Sequence, residues 1–327
     1  MMTSIIKNTS SACADQKISL DDFASLFDTT TSKLLPDWQE LIEIFNSQYR
    51  IIQGNERDNI ILDILRKIES PDLTRAGNES KARWQKDWND QLEEFNDSGC
   101  AISTLTPMFL RRDRPIRFKG EYVKSDDPHF ELAIYTLFRR WLFREYFYDP
   151  AITTIYEFGC GTGFNLAEIA SLYPEKELHG LDWVPGPKEI IKLMQQRLGY
   201  NITGHIFNML DPDNSFCLKP GSAVLVMGAL EQLGTHFESF LQFILAQPLS
   251  LFVHVDSILE WYDENSLMDY LAIRFCKKRK YLEGYWPRIE QLENEGKIEI
   301  LKKWRSPFGS FFLDSSSVIV WRPGGVK

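Results

Sequence analysis

Three glycines at alternate positions interrupt the chain in Glu157-Phe158-Gly159-Cys160-Gly161-Thr162-Gly163. Glycine carries no Cβ and reaches backbone angles closed to other residues. A ligand can therefore press against bare main chain at such a turn. An apolar strand pattern at 152–158 runs into it and a helical pattern at 164–172 leaves it. That strand-turn-helix setting is what gives a glycine-rich turn its weight. Spacing then narrows the ligand. A dinucleotide site favours G-x-G-x-x-G, with a diphosphate on the helix N-terminus. Here the pattern is G-x-G-x-G behind an acid, Glu157, and no P-loop signature is present. Asp182 closes the next strand pattern, 19 residues beyond Gly163. A carboxylate at a strand end can accept hydrogen bonds from both hydroxyls of a ribose.

The elements that must hold these residues follow from periodicity. Strand patterns at 152–158, 177–182, 203–207, 222–227 and 249–255 alternate with helical patterns at 164–172, 187–198, 236–247 and about 263–295. Such alternation predicts a parallel sheet with helices on both faces. Two further strand patterns, 298–304 and 317–321, have no long helix between them and predict a terminal antiparallel hairpin. The first hundred residues read differently. Residues 1–18 are small and polar and read as a disordered tail. Ser19-Leu20-Asp21-Asp22 reads as a capped helix start. Residues 37–52 place Leu41, Ile44, Phe45 and Tyr49 near one helical face, and 57–69 do the same with Ile60, Ile61, Ile64 and Leu65. Trp84, Trp88, Leu92 and Phe95 form a helical stripe that reads as core packing. The region 19–105 is thus expected to be all-helical. The basic, Pro/Gly-broken stretch 106–130 reads as irregular, leading into a helix at 129–147.

Residues 152–232 resemble the core of the class I, Rossmann-like S-adenosylmethionine-dependent methyltransferases. The matching pieces are the turn at 157–163, the strand-end acid in Gly180-Leu181-Asp182-Trp183, and the strand Ala223–Gly228 followed by Ala229-Leu230-Glu231-Gln232. The closing hairpin is similar to the family's reversed last pair, so the resemblance extends over about 130–322. It implies an α/β fold with a seven-stranded, mostly parallel sheet, within a cofactor-binding domain over 106–327. It implies S-adenosyl-L-methionine as cofactor, with S-adenosyl-L-homocysteine as product. By that resemblance Glu157, Gly159, Cys160, Gly161 and Gly163 line the methionine and ribose parts, and Asp182 holds the ribose. Trp183 lies beside the adenine, Asn208 and Met209 at its edge, and Gly228 and the residues after it face the sulfonium and the acceptor. Asn208 stands where many members carry an acid. The N/D-P-P-Y/F pattern of amino-methylating nucleic-acid enzymes is absent after the fourth strand, and so is a Pro-Cys nucleophile.

Methyl transfer needs alignment, exclusion of water and often a general base. Loops at the C-terminal strand ends build the site in such folds. That filter selects Glu231, Gln232 and His236, then His254, Asp256 and Glu260. His254 and Asp256 alternate on one strand end and share a face. His254, Glu231 and Asp256 are the expected catalytic group; no familiar ligand spacing suggests a metal. Arg117, with Tyr122, is a candidate for a forked bond to the cofactor carboxylate or to an acidic substrate.

The chain has 327 residues and a formal net charge of −9, which argues against nucleic acid as the main partner. The basic run Lys277-Lys278-Arg279-Lys280 reads as a solvated helical turn. Five cysteines, Cys13, Cys100, Cys160, Cys217 and Cys276, are scattered and odd in number. They predict no disulfide framework and fit a reducing cytoplasm. No apolar run suggests a leader or a membrane span. The expectation is a methyltransferase acting on a small molecule or glycan precursor, with N-terminal helices that cover the pocket or form a homodimer contact. Two alternatives stand beside it: a protein or RNA methyltransferase, and a non-catalytic binding protein of the same fold.

Overall fold

The computed structural model describes residues 16–43 and 45–325. In chain order, β1 (Gln16–Lys17), α1 (Leu20–Leu26), α2 (Thr31–Leu41), β2 (Gln48–Ile51), α3 (Gly54–Glu69) and α4 (Lys81–Asp97) come first. Then follow β3 (Ile116–Phe118), β4 (Glu121–Lys124), α5 (Phe130–Phe147), β5 (Thr154–Phe158), α6 (Phe164–Leu172), β6 (Glu177–Asp182), α7 (Pro185–Leu198) and β7 (Ile202–Ile206). The chain closes with β8 (Ser222–Met227), α8 (Glu238–Leu245), β9 (Leu249–Asp256), α9 (Leu267–Arg279), α10 (Tyr285–Asn294), β10 (Ile298–Trp304), β11 (Phe308–Gly309) and β12 (Ser317–Pro323).

A seven-stranded sheet in the order β10-β12-β9-β8-β5-β6-β7 forms the centre. Pairing from β7 through β9 is parallel, and β12 alone runs against its neighbours. Strands β5, β8 and β9 lie inside the sheet, so β8 reads as a nearly continuous apolar run, and Glu157 in β5 and His254 and Asp256 in β9 are buried polar interruptions. One face carries α5, whose Ile134, Leu137, Phe138, Trp141 and Leu142 are buried. Each such side chain contributes on the order of 1.5–3 kcal/mol on burial. The chain leaves β5 to the β6 side and returns through β8 on the other, so a crevice opens beyond their C-terminal ends.

The N-terminal helices are present, and Ser19 caps α1 with Asp22 closing a reciprocal capping box. The region is not all-helical, however. Strands β1 and β2 pair there and join a five-stranded sheet, β1-β2-β4-β3-β11. Residues 48–51 belong to a strand and not to the helix expected over 37–52. Phe45 and Tyr49 are four apart, a spacing that keeps two residues on one face of a helix and of a strand alike. Ile44 lies outside the described residues. So does most of the expected tail over 1–18; its last part, Gln16–Lys17, is the short strand β1. The stretch expected to be irregular contains the β3–β4 hairpin, turned by Lys119 and Gly120, both at positive φ. Positive φ at both central residues is what a two-residue hairpin loop requires. The helical stretch expected at 263–295 is broken by left-handed Lys280 and Gly284. Among the described residues no helix is long and apolar enough to cross a membrane.

Candidate functional site

The glycine bend is clamped onto the end of β6. The N–H groups of Gly159 and Cys160 donate to the Leu181 carbonyl, and the N–H of Gly161 donates to Asp182 Oδ2 at 3.1 Å. Asp182 Oδ1 accepts from Val184 N–H at 3.3 Å. Burial pushes the Asp182 carboxyl up to about 6, against the pull of the Gly161 N–H. A carboxylate offers about four acceptor positions, so these two bonds leave capacity for a ribose. Gly159 has φ +72°, and a Cβ there would lie 2.2 Å from Cβ of Ala229. Glycine is therefore required for the loops after β5 and β8 to meet.

Beyond these strand ends lies a cleft enclosing about 540 Å³, its open mouth included. Gly159, Asp182, Trp183, Asn208, Met209 and Gly228 line it, all at strand C-terminal ends. These six are sequence candidates that the fold brings together. Asn208 Oδ1 accepts from Leu210 N–H and shapes the turn after β7, leaving its amide N–H₂ to donate. Lys81 sits 5.6 Å over the Trp183 ring.

The remaining cofactor candidates stand at the bend but do not line the cleft. Glu157 is buried, and its Oε1 accepts from Asn165 Nδ2 at 2.6 Å. Asn165 Oδ1 in turn accepts from Nε of the buried Arg139 at 2.7 Å, and that guanidinium lies 3.6 Å over the Phe164 ring. Burial raises the Glu157 carboxyl to about 8. Glu157 Oε2 and Arg139 Nη1 have no protein partner. Cys160 is buried and its thiol is pushed far up by that burial, so it is no nucleophile. Gly163 caps α6 in a left-handed conformation.

The expected catalytic group separates into two layers. His254 and Asp256 are wholly buried in β9, with His254 Nε2 2.9 Å from Asp256 Oδ2. The same oxygen accepts from Leu230 N–H at 3.0 Å, and the His254 ring meets Tyr285 edge-on at 5.0 Å. Burial pushes the imidazole down to about 3, so it is neutral. Glu231 is half-buried in the short turn after β8, beside Gln232 and Ala229 of the cleft wall. It accepts from Gln232 Nε2 at 3.2 Å and from Ser257 Oγ at 3.4 Å. Burial first, then the Asp256 charge, raises its carboxyl to about 8.

Arg117 and Tyr122 are not at the cleft. They face each other across the β3–β4 hairpin and are buried, with Arg117 Nε 3.7 Å from Asp314 Oδ1. Of the basic run, Arg279 turns inward and is buried, its guanidinium donating to the Thr74 carbonyl. His236 is exposed, and Trp261 packs edge-on against Trp286. Among the described residues no group of three or more His, Cys, Asp or Glu converges as a metal site.

The reading from sequence missed Trp84 and Trp88. Their rings stack at 5.2 Å and 20° and form a wall of the cleft, and Phe207, Leu210 and Leu233 line it too. Nothing in a four-residue helical spacing separates a tryptophan stripe that packs a core from one that walls a site.

No family model matches the chain, and no curated protein matches it in sequence. Solved structures resemble it at low identity. Magnesium protoporphyrin IX methyltransferase from Synechocystis PCC 6803, with bound S-adenosyl-L-homocysteine, is 13% identical with a TM-score of 0.42, over 57% of this chain and 80% of that one. A SAM-dependent methyltransferase from Aquifex aeolicus is 15% identical with a TM-score of 0.38, over 56% and 88%. An rRNA methylase from Escherichia coli is 10% identical with a TM-score of 0.40, over 94% and 100%. By its own strand order, its one reversed strand and the glycine bend clamped by a strand-end acid, the chain has the class I S-adenosylmethionine-dependent methyltransferase fold.

Proposed function

We propose that the protein is an S-adenosylmethionine-dependent methyltransferase acting on a small-molecule acceptor. The observation that carries this reading is the convergence of Gly159, Asp182, Trp183, Asn208 and Gly228 on one cleft at the switch point of the sheet. Asp182 accepts the ribose hydroxyls, Trp183 covers the base, and the Asn208 amide donates to its edge. Arg139 Nη1 and Glu157 Oε2, both buried without a partner, suit the carboxylate and ammonium of the amino-acid end. Arg139 thus takes the role that sequence suggested for Arg117. When bound, the cofactor supplies an electrophilic methyl group.

The chain's own work is alignment and proton removal. Glu231 is the general base in this reading: it stands beside the cleft wall, and its raised carboxyl holds a proton more strongly than an ordinary glutamate. His254 and Asp256 are positioning residues. Asp256 fixes the backbone N–H of Leu230, and His254 holds Asp256, so the turn that presents Glu231 keeps its shape. Trp84, Trp88 and Leu233 keep water from the cleft.

Calorimetry with S-adenosyl-L-homocysteine and with adenosine tests the binding half, and an acceptor screen with methyl-labelled cofactor tests the chemistry. Absence of heat with both ligands overturns the reading. Binding of adenosine with no response to either form of the full cofactor would favour a nucleoside-binding protein instead, a reading that the ring of Trp88 against Gly161 supports.

A further inference from the structure

The cleft is preformed at one end of the glycine bend and closed at the other. Three ring atoms of Trp88 lie 2.9, 3.2 and 3.4 Å from where a Cβ of Gly161 would be. The indole therefore fills the space that the missing side chain leaves, which is the space a ligand needs to lie against that main chain. Trp88 is 9% exposed, stacks on Trp84, and Trp84 is covered in turn by the Arg83 guanidinium at 4.4 Å. The helix backbone beneath is pinned. The Trp88 carbonyl carbon and Asn89 Oδ1 each lie 3.1 Å from the Cβ position of Gly186, at the start of α7. A ligand that displaces the indole must turn the side chain within a fixed helix.

We propose that Trp88 is the specificity-determining gate of this site: the nucleoside half of the cofactor enters the open cleft, and the amino-acid half is admitted only when the Trp88 indole leaves Gly161. This rests on the cofactor reading above. Two observations supply the driving force and the cost. Glu157 Oε2 and Arg139 Nη1 are buried at the bend without partners, and a buried polar atom left without its hydrogen bond gains when a ligand supplies one. Opposing this, departure of the indole sacrifices its stack on Trp84 and its burial. A ligand with a zwitterionic tail gains from opening; a bare nucleoside gains nothing and leaves the gate shut. Apparent affinity for the full cofactor is then lowered by the fraction of molecules that are open, while adenosine affinity is not.

The test compares S-adenosyl-L-homocysteine with adenosine on the full chain, wild type against Trp88→Ala and Trp88→Leu. The expected result is that both substitutions raise the ratio of homocysteine-nucleoside to adenosine affinity at least tenfold, with adenosine binding still measurable. Adenosine binding also reports that each variant is folded at the cleft. In the wild type labelled with 5-fluorotryptophan, the resonance missing from Trp88→Leu should shift with S-adenosyl-L-homocysteine and not with adenosine. An unchanged affinity ratio with adenosine still bound overturns the gate and leaves the cofactor reading standing. Loss of adenosine binding in both variants assigns Trp88 to the nucleoside wall and overturns the gate. No binding of either ligand to the wild type overturns gate and cofactor reading together.

Discussion

The two sides of the glycine bend are built to opposite rules. On the β6 and β7 side, Asp182, Trp183 and Asn208 face an open cleft, and each keeps polar or aromatic surface available to a ligand. On the α4 and α5 side, Glu157, Arg139 and Asn165 are linked to one another in a buried chain, and Trp88 covers Gly161. The open side can bind without rearrangement. The closed side holds ionisable groups out of water, and their unpartnered atoms gain partners only from a ligand or from opening. Under the proposed function, a site divided in this way would take a nucleoside by fit and its tail by exchange of protein contacts for ligand contacts.

The largest expected effect lies outside both halves and isolates them from chemistry. Glu231→Gln should lower turnover by about 10²-fold or more, the usual range for removing a general base. Affinity for adenosine and S-adenosyl-L-homocysteine should stay within about twofold. A loss of binding in that variant would place Glu231 in the cofactor site and blur the division. Next come two changes at the bend itself. Asp182→Ala should weaken both ligands at least tenfold, whereas Gly161→Trp should weaken S-adenosyl-L-homocysteine at least tenfold and adenosine much less. Equal losses for the two ligands in Gly161→Trp would erase the contrast between the halves.

A smaller effect follows from proton linkage. The Asp182 carboxyl stands at about 6 in the folded protein, above its unfolded value of about 3.9. Protonation therefore favours the fold: this contribution is complete below the unfolded value and is lost as pH rises through about 6. The buried Glu157 and the half-buried Glu231 extend the same loss through about 8. Adenosine binding should move the other way, since the ionised carboxylate is the better acceptor for ribose. Affinity should rise as pH climbs through about 6 and thermal stability should fall, with Asp182→Asn flattening the first curve. Two parallel curves would refute the role of Asp182. Smallest is His254→Ala, expected to slow turnover several-fold by loosening the Leu230–Glu231 turn while leaving both ligand affinities near normal. Full activity there would remove the positioning role.

Much of the open half was legible in the sequence because it depends on local signals. Gly159 and Asp182 stand at strand ends that alternation marks, and strand ends in an open α/β sheet gather at one crevice whatever the loops contain. The strands themselves were legible where both faces are buried, as in β5 and β8. Arg117 misled because a basic loop residue and a buried ion-pair residue look the same in one dimension; only the pairing of β3 with β11 brings Asp314 to it. His254 looked catalytic because it is polar in an apolar strand. The structure buries it behind Tyr285 with Nε2 bonded to Asp256, away from the cleft lining.

What the sequence alone determined was the mostly parallel sheet with its antiparallel closing hairpin, the glycine bend, and the acid that faces it. Those follow from hydrophobic period and from backbone angles, which are properties of neighbouring residues. Which groups share the bend was decided by tertiary structure. Trp88 and Gly161 lie far apart along the chain, as do Arg139 and Glu157, and nothing in either residue's surroundings specifies its partner. Contact of that kind depends on how α4 and α5 pack across the sheet, and packing is settled by the shape of the whole fold.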